Sequence, residues 1–144
     1  MEAWLVNTNS NKKNGNPNAF KFMLRQRKVP VYVTRKEGID PMTAGDLVLL
    51  YHNDNMIIAV GFALRKPFDD FDHFDVPDTT HNVERWIDVN WIWQARFNTN
   101  FKAVTPILRQ SVGIKSYLQP IQRVTKQVNY AELFKAMGKL QEYL

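Results

Sequence analysis

Residues 46–51 (DLVLLY) and 56–64 (MIIAVGFAL) constrain the fold most, because two nearly unbroken apolar runs are separated by only four polar residues. Short apolar runs rich in β-branched residues read as strands, and the brief polar break between them reads as a hairpin turn. A strand that is apolar at successive positions buries both of its faces, so this pair belongs in the middle of a covered or closed sheet. Gly61, inside the second run, marks a bulge or a bend of the kind that a barrel requires.

The other elements follow from periodicity and turn chemistry. Residues 3–6 (AWLV) are a first strand, ending in a polar cluster over residues 7–18 that is rich in Asn, Lys, Gly and Pro. Asn18 caps an expected helix over 19–27, in which Phe20, Met23, Leu24 and Arg27 keep helical spacing. Residues 29–34 (VPVYVT) form a short strand with Pro30 at its start, and 38–45 connect it to the hairpin. A long acidic loop over 67–82 precedes a strand at 85–93, where Trp86, Asp88 and Asn90 alternate with Ile87, Val89 and Trp91. Residues 102–109 read as either a helix or a strand edge. Residues 119–124 are extended. Residues 130–143 form an amphipathic helix capped by Asn129, with Leu133, Phe134, Met137 and Leu140 on one face.

With 144 residues, no internal repeat and no linker, one domain spanning 1–144 is expected, long enough to bury about 70% of its unfolded surface. The absence of cysteine excludes disulfides, thiol catalysis and cysteine–zinc sites, and suits a reducing compartment. No apolar run reaches the roughly 20 residues that span a bilayer, and the first residues lack a basic-then-apolar leader, so the expectation is a cytoplasmic chain without membrane contact.

Charge is segregated along the chain. Residues 1–36 carry a net +7, residues 37–88 a net −8 and residues 89–144 a net +6. Two basic ends around an acidic middle fold either into a bipolar surface that attracts phosphates or into an interspersed, solubilising one.

Aromatic residues beside polar loops carry the site expectation. A flat heterocycle needs ring walls for stacking and amides or hydroxyls aimed at its edge. Tyr32, Trp86 and Trp93 are candidate walls, and Asn7, Thr8, Asn9 and Ser10 are candidate edge readers. Trp4 and Trp91, on apolar strand faces, read as core; for Tyr32 and Trp86 core and pocket remain open alternatives. Lys12 and Lys13 in the Asn-rich loop can meet phosphates or solvent alike. Asp69, Asp70, Asp72, His73, Asp75, Asp78 and His81 offer oxygen and imidazole ligands, but their spacing lacks the Gly and closing Glu of an EF-hand. There is no nucleophile elbow around His52 or the serines, no P-loop and no dinucleotide fingerprint, so no enzyme, metal or cofactor is expected.

In order and spacing, WLV at 4–6, PVYVT at 30–34, GDLVLLYHN at 45–53, VGFALRKP at 60–67 and IDVNWI at 87–92 together resemble PUA-like domains of the EVE and YTH type. The resemblance covers about residues 3–140. It implies an α+β fold: a small, twisted, mostly closed β-barrel of about five to six strands, flanked by two to four helices. It implies a nucleic-acid-binding module that takes a flipped, methylated or hydroxymethylated base, from DNA or RNA, in an aromatic cage. By the same resemblance Tyr32 and Trp86 are walls, Val33 and Thr34 supply contacts beside them, and Asn7–Ser10 reach the base. Lys12, Lys13, Arg35, Lys36, Arg123 and Lys126 would hold the backbone. Tyr32 stands where YTH-type pockets usually carry Trp, and Asn-Thr-Asn-Ser replaces a Lys-Ser-Glu-Pro-like segment of EVE chains. Two alternatives belong to other classes: a metal-dependent hydrolase using the acidic loop over 69–81, and a protein-binding accessory module.

Overall fold

A computed structural model of the chain describes residues 1–7, 19–31, 41–52, 56–71, 83–98, 103, 105–115 and 121–142. In chain order the elements are β1 (Ala3–Asn7), α1 (Ala19–Gln26), β2 (Lys28–Val31), β3 (Leu47–His52), β4 (Met56–Ala63), β5 (Phe68–Phe71), β6 (Val83–Gln94), β7 (Ile107–Leu108), a 3-10 turn (Arg109–Val112), β8 (Ile121–Arg123) and α2 (Tyr130–Glu142).

The hairpin expected from the two apolar runs is β3–β4, and it sits at the middle of a sheet ordered β2-β6-β4-β3-β1-β8. Leu47, Val48, Leu49 and Leu50 are all fully buried, so both faces of β3 are covered, as a continuous apolar strand demands. On its other edge β3 pairs in parallel with β1, matching Ala3 to Leu47 and Asn7 to Tyr51. Asp46 locks this corner: its carboxylate accepts hydrogen bonds from the Glu2 amide at 3.1 Å, the Trp4 indole at 3.1 Å and the Thr43 amide at 3.0 Å. Gly45, at φ +88°, supplies the left-handed turn that brings Asp46 there.

The long strand β6 organises the other half. Its first half is flanked by β2 on one edge and β5 on the opposite edge, while its second half pairs with β4. Two register slips curl the sheet: Ile58 is the extra residue opposite β3, and Ile92 is the extra residue opposite β4. Gly61 faces the second slip. A Cβ there would lie 2.4 Å from the Asn90 carbonyl oxygen, so only glycine admits so close an approach. Ile92 turns outward and resets the alternation, placing the buried Trp93 on the face of Asn90.

Of the expected barrel, the described residues form a curled, half-barrel sheet. Among the described residues the path ends at β2 and β8, which have four and three residues, and no ladder joins them. Among the described residues six strands lie on the main path, within the expected five to six, and β5 pairs with β6 and β7 with β4 beside it. Two α-helices flank it among the described residues. The segment that read as helix or strand edge contains the two-residue β7 and the start of the 3-10 turn.

Local features set the start of α2 and the end of α1, while Asn18, the expected cap of α1, lies outside the described residues. Asn129 caps α2, its side chain accepting from the Glu132 amide at 3.2 Å, and Leu133 and Met137 are buried. Phe134, expected on that apolar face, is instead 42% exposed, since it lies one residue off the Leu133–Met137 stripe. Helix α1 stops at Arg27, whose φ of +56° turns the chain into β2 and lets its carbonyl accept from the Val89 amide at 3.0 Å.

Candidate nucleic-acid interface

Asn7 is the last residue of β1, half-buried and level with Tyr51. The edge readers expected after it, Thr8, Asn9 and Ser10, lie outside the described residues, as do Lys12, Lys13, Tyr32, Val33, Thr34, Arg35 and Lys36. Trp86 is described, and the structure sets it in the core at 1% exposure, paired with Pro30 of β2 and Phe68 of β5. The Trp86 indole belongs to the hydrophobic core cluster. Trp93, the third candidate wall, is also buried, level with Val60 of β4. Trp4 is core as expected, and Trp91 is half-buried with its indole donating to the Met23 carbonyl of α1 at 3.1 Å.

Arg123 and Lys126 meet in a cleft of about 430 Å³ with Glu2 and Thr125. They sit at the start of β1, since Arg123 is level with Trp4, about 10 Å along the strand from Asn7 at roughly 3.3 Å per residue. The Arg123 guanidinium lies 4.9 Å from the Trp4 ring and its Nε 3.8 Å from the Glu2 carboxylate, so its charge is partly matched before any ligand arrives. Thr125 donates its hydroxyl to Glu2 and accepts from the Ala3 amide at 2.9 Å. Tyr130 donates to the Thr125 carbonyl at 3.1 Å. Burial, and then the negative charge of Glu2, push the Tyr130 phenol above its ordinary pKa, which keeps it a donor.

Two constellations escaped the sequence reading. Near β5, Arg65 stacks 3.7 Å from the Phe68 ring and pairs with Asp88 at 2.8 Å, with the Lys28 ammonium 5.9 Å from the same ring. Just past the end of β6, Phe20 of α1 stacks on Phe97 at 4.9 Å and meets His52 edge-on at 5.4 Å. A cleft of about 340 Å³ opens there, lined by Phe20, Lys21, Leu24, Arg25, Gln94 and Phe97. The sequence signals available were the Arg96-Phe97 pair just past β6 and the four-residue spacing of Lys21 and Arg25. Among the described residues no three His, Asp or Glu side chains converge as metal ligands, and residues 72–82 of the acidic loop lie outside the described residues.

The chain matches no protein-family model and no curated protein. Its fold is similar to that of solved structures over nearly its whole length. A hypothetical protein from Leishmania major superposes with a TM-score of 0.57 at 16% identity, covering 98% of this chain and 97% of that one. The Mmi1 YTH domain, solved in complex with RNA, gives 0.56 at 6% identity, covering 98% of this chain and 78% of that one. The Toxoplasma CPSF4 YTH domain, solved with a 7-mer m6A-modified RNA, gives 0.54 at 9% identity, covering 96% and 91%. The chain therefore has a YTH-like fold.

Proposed function

We propose that this chain is a nucleic-acid-binding module, not an enzyme, which accepts one flipped, methylated or hydroxymethylated base in a pocket beside the end of β1. The observation that carries the reading is that its curled sheet and helices follow, over 96% of its length, a YTH domain solved with m6A-modified RNA. Tyr32 stacks on the base. Asn7, Thr8, Asn9 and Ser10 read its edge, and Val33 and Thr34 add backbone and hydroxyl contacts. Trp86 forms a buried back wall, which a base reaches only when the groups above the indole make way.

Extrusion of a base costs a few kcal/mol and stacking returns roughly 1–3 kcal/mol. Phosphate contacts from Lys12, Lys13, Arg35, Lys36, Arg123 and Lys126 supply the remainder, with Arg123 the weaker contributor because Glu2 already faces it. The test compares oligonucleotides that differ only in one modified base. Tyr32→Ala should lower affinity for the modified strand about tenfold more than for the plain one. Trp86→Ala should act in the same direction, and also cost about 3–5 kcal/mol of stability as a buried indole. Equal losses on both strands would remove the cage from the account.

A further inference from the structure

We infer that the cleft between α1 and the end of β6 is a stacking subsite for a second, unmodified nucleotide of the bound strand. The inference rests on the nucleic-acid reading above, but not on the modified-base pocket. The cleft measures about 340 Å³, the size of a small-ligand site, and its floor is aromatic. Phe20 is buried and backs Phe97 at 4.9 Å with an interplanar angle of 25°, so Phe97 is held rigidly from one side. Its half-buried ring borders the cleft, where a base would extend the Phe20–Phe97 stack.

The rim has the chemistry of a nucleotide's remaining parts. Lys21 and Arg25 project from one face of α1 at a four-residue spacing, positioned for a phosphate. Gln94, exposed at the end of β6, offers an amide that donates and accepts toward a base edge or ribose. Among the described residues no acidic side chain lines the cleft or occurs in α1. An apolar peptide would leave the exposed Arg25 unused, whereas a nucleotide uses the ring, the guanidinium and the amide together. A π-face stacks on any base, so this subsite adds affinity without choosing sequence.

The experiment uses the full chain and single-stranded hexamers of RNA and of DNA, with 2-aminopurine placed at each position in turn, with and without one modified base. Wild type should quench 2-aminopurine at one position of the strand, in modified and plain strands alike. Phe97→Leu, which keeps apolar contact with Phe20, should restore that fluorescence and weaken binding about tenfold on modified and plain strands alike. Arg25→Gln, on an exposed helix face, should weaken both two- to fivefold and flatten the salt dependence. Crosslinking through 5-iodouracil at the quenched position should label Phe97; this and Arg25→Gln decide the matter if Phe97→Leu melts early. Wild-type binding and quenching by both variants, or crosslinks elsewhere, overturn the subsite while leaving any preference for the modified strand intact. Loss in the Phe97 variant without any such preference overturns the modified-base pocket and leaves the subsite. A wild-type chain that binds none of the strands overturns both.

Discussion

Asp46 shows how one side chain ties distant parts of this fold together. Its buried carboxylate satisfies the amides of Glu2 and Thr43 and the indole of Trp4, joining the starts of β1 and β3. Leaving a buried donor unsatisfied costs about 1–3 kcal/mol, so Asp46→Ala should lower unfolding stability by about 3 kcal/mol or more in a denaturant titration. Asp46→Asn should cost less, since one oxygen remains an acceptor. A change within 0.5 kcal/mol for Asp46→Ala, the range of a bland surface position, would show that this carboxylate does not hold the corner. The Gly-Asp turn before the strand is legible in the sequence. Its partner Trp4, 42 residues away, is not, because a long-range hydrogen bond leaves no local periodicity.

Elements were legible where apolar periodicity is long and uninterrupted. The β3–β4 hairpin, both helices and the body of β6 appear within a few residues of the expected spans. Short or context-dependent pieces were not: the two-residue β7 carries no pattern, and the parallel pairing of β1 with β3 depends on the intervening crossover. The slip at Ile92 was hidden because Trp91, Ile92 and Trp93 read as one apolar run, although Gly61 marked its neighbourhood. Gly61→Ala forces a methyl group against the Asn90 backbone and should cost about 1–3 kcal/mol. Thermal melts of wild type and variant measure this, and an unchanged midpoint would mean that the two strands part there without penalty.

At the scale of the whole molecule, the architecture is a curled open sheet whose edges are short, and its cations are unevenly available. Arg65 and Arg123 are each engaged by an aromatic ring and a carboxylate, whereas the exposed Arg25 borders a cleft that no acid lines among the described residues. The basic ends of the sequence thus predicted an anion-binding character but not which cations are already matched, since carboxylates such as Glu2 and Asp88 reach them only through the fold. If three to six phosphates are neutralised on a single strand, log affinity should fall with log salt at a slope of about −2 to −4. A salt-independent affinity in the same titration would point to a partner that is not a polyanion.

The candidate base pocket was legible only as a set of residue types beside loops. The structure adds that Trp86 is buried, so on the proposed reading a base reaches the indole only when the groups above it make way. The most direct measurement is the affinity of the full chain for two single-stranded oligonucleotides identical except for one methylated base, at fixed salt, with Tyr32→Ala as the companion protein. The account predicts at least tenfold tighter binding of the methylated strand, lost in the Tyr32 variant. Equal affinity of wild type for the two strands would contradict it.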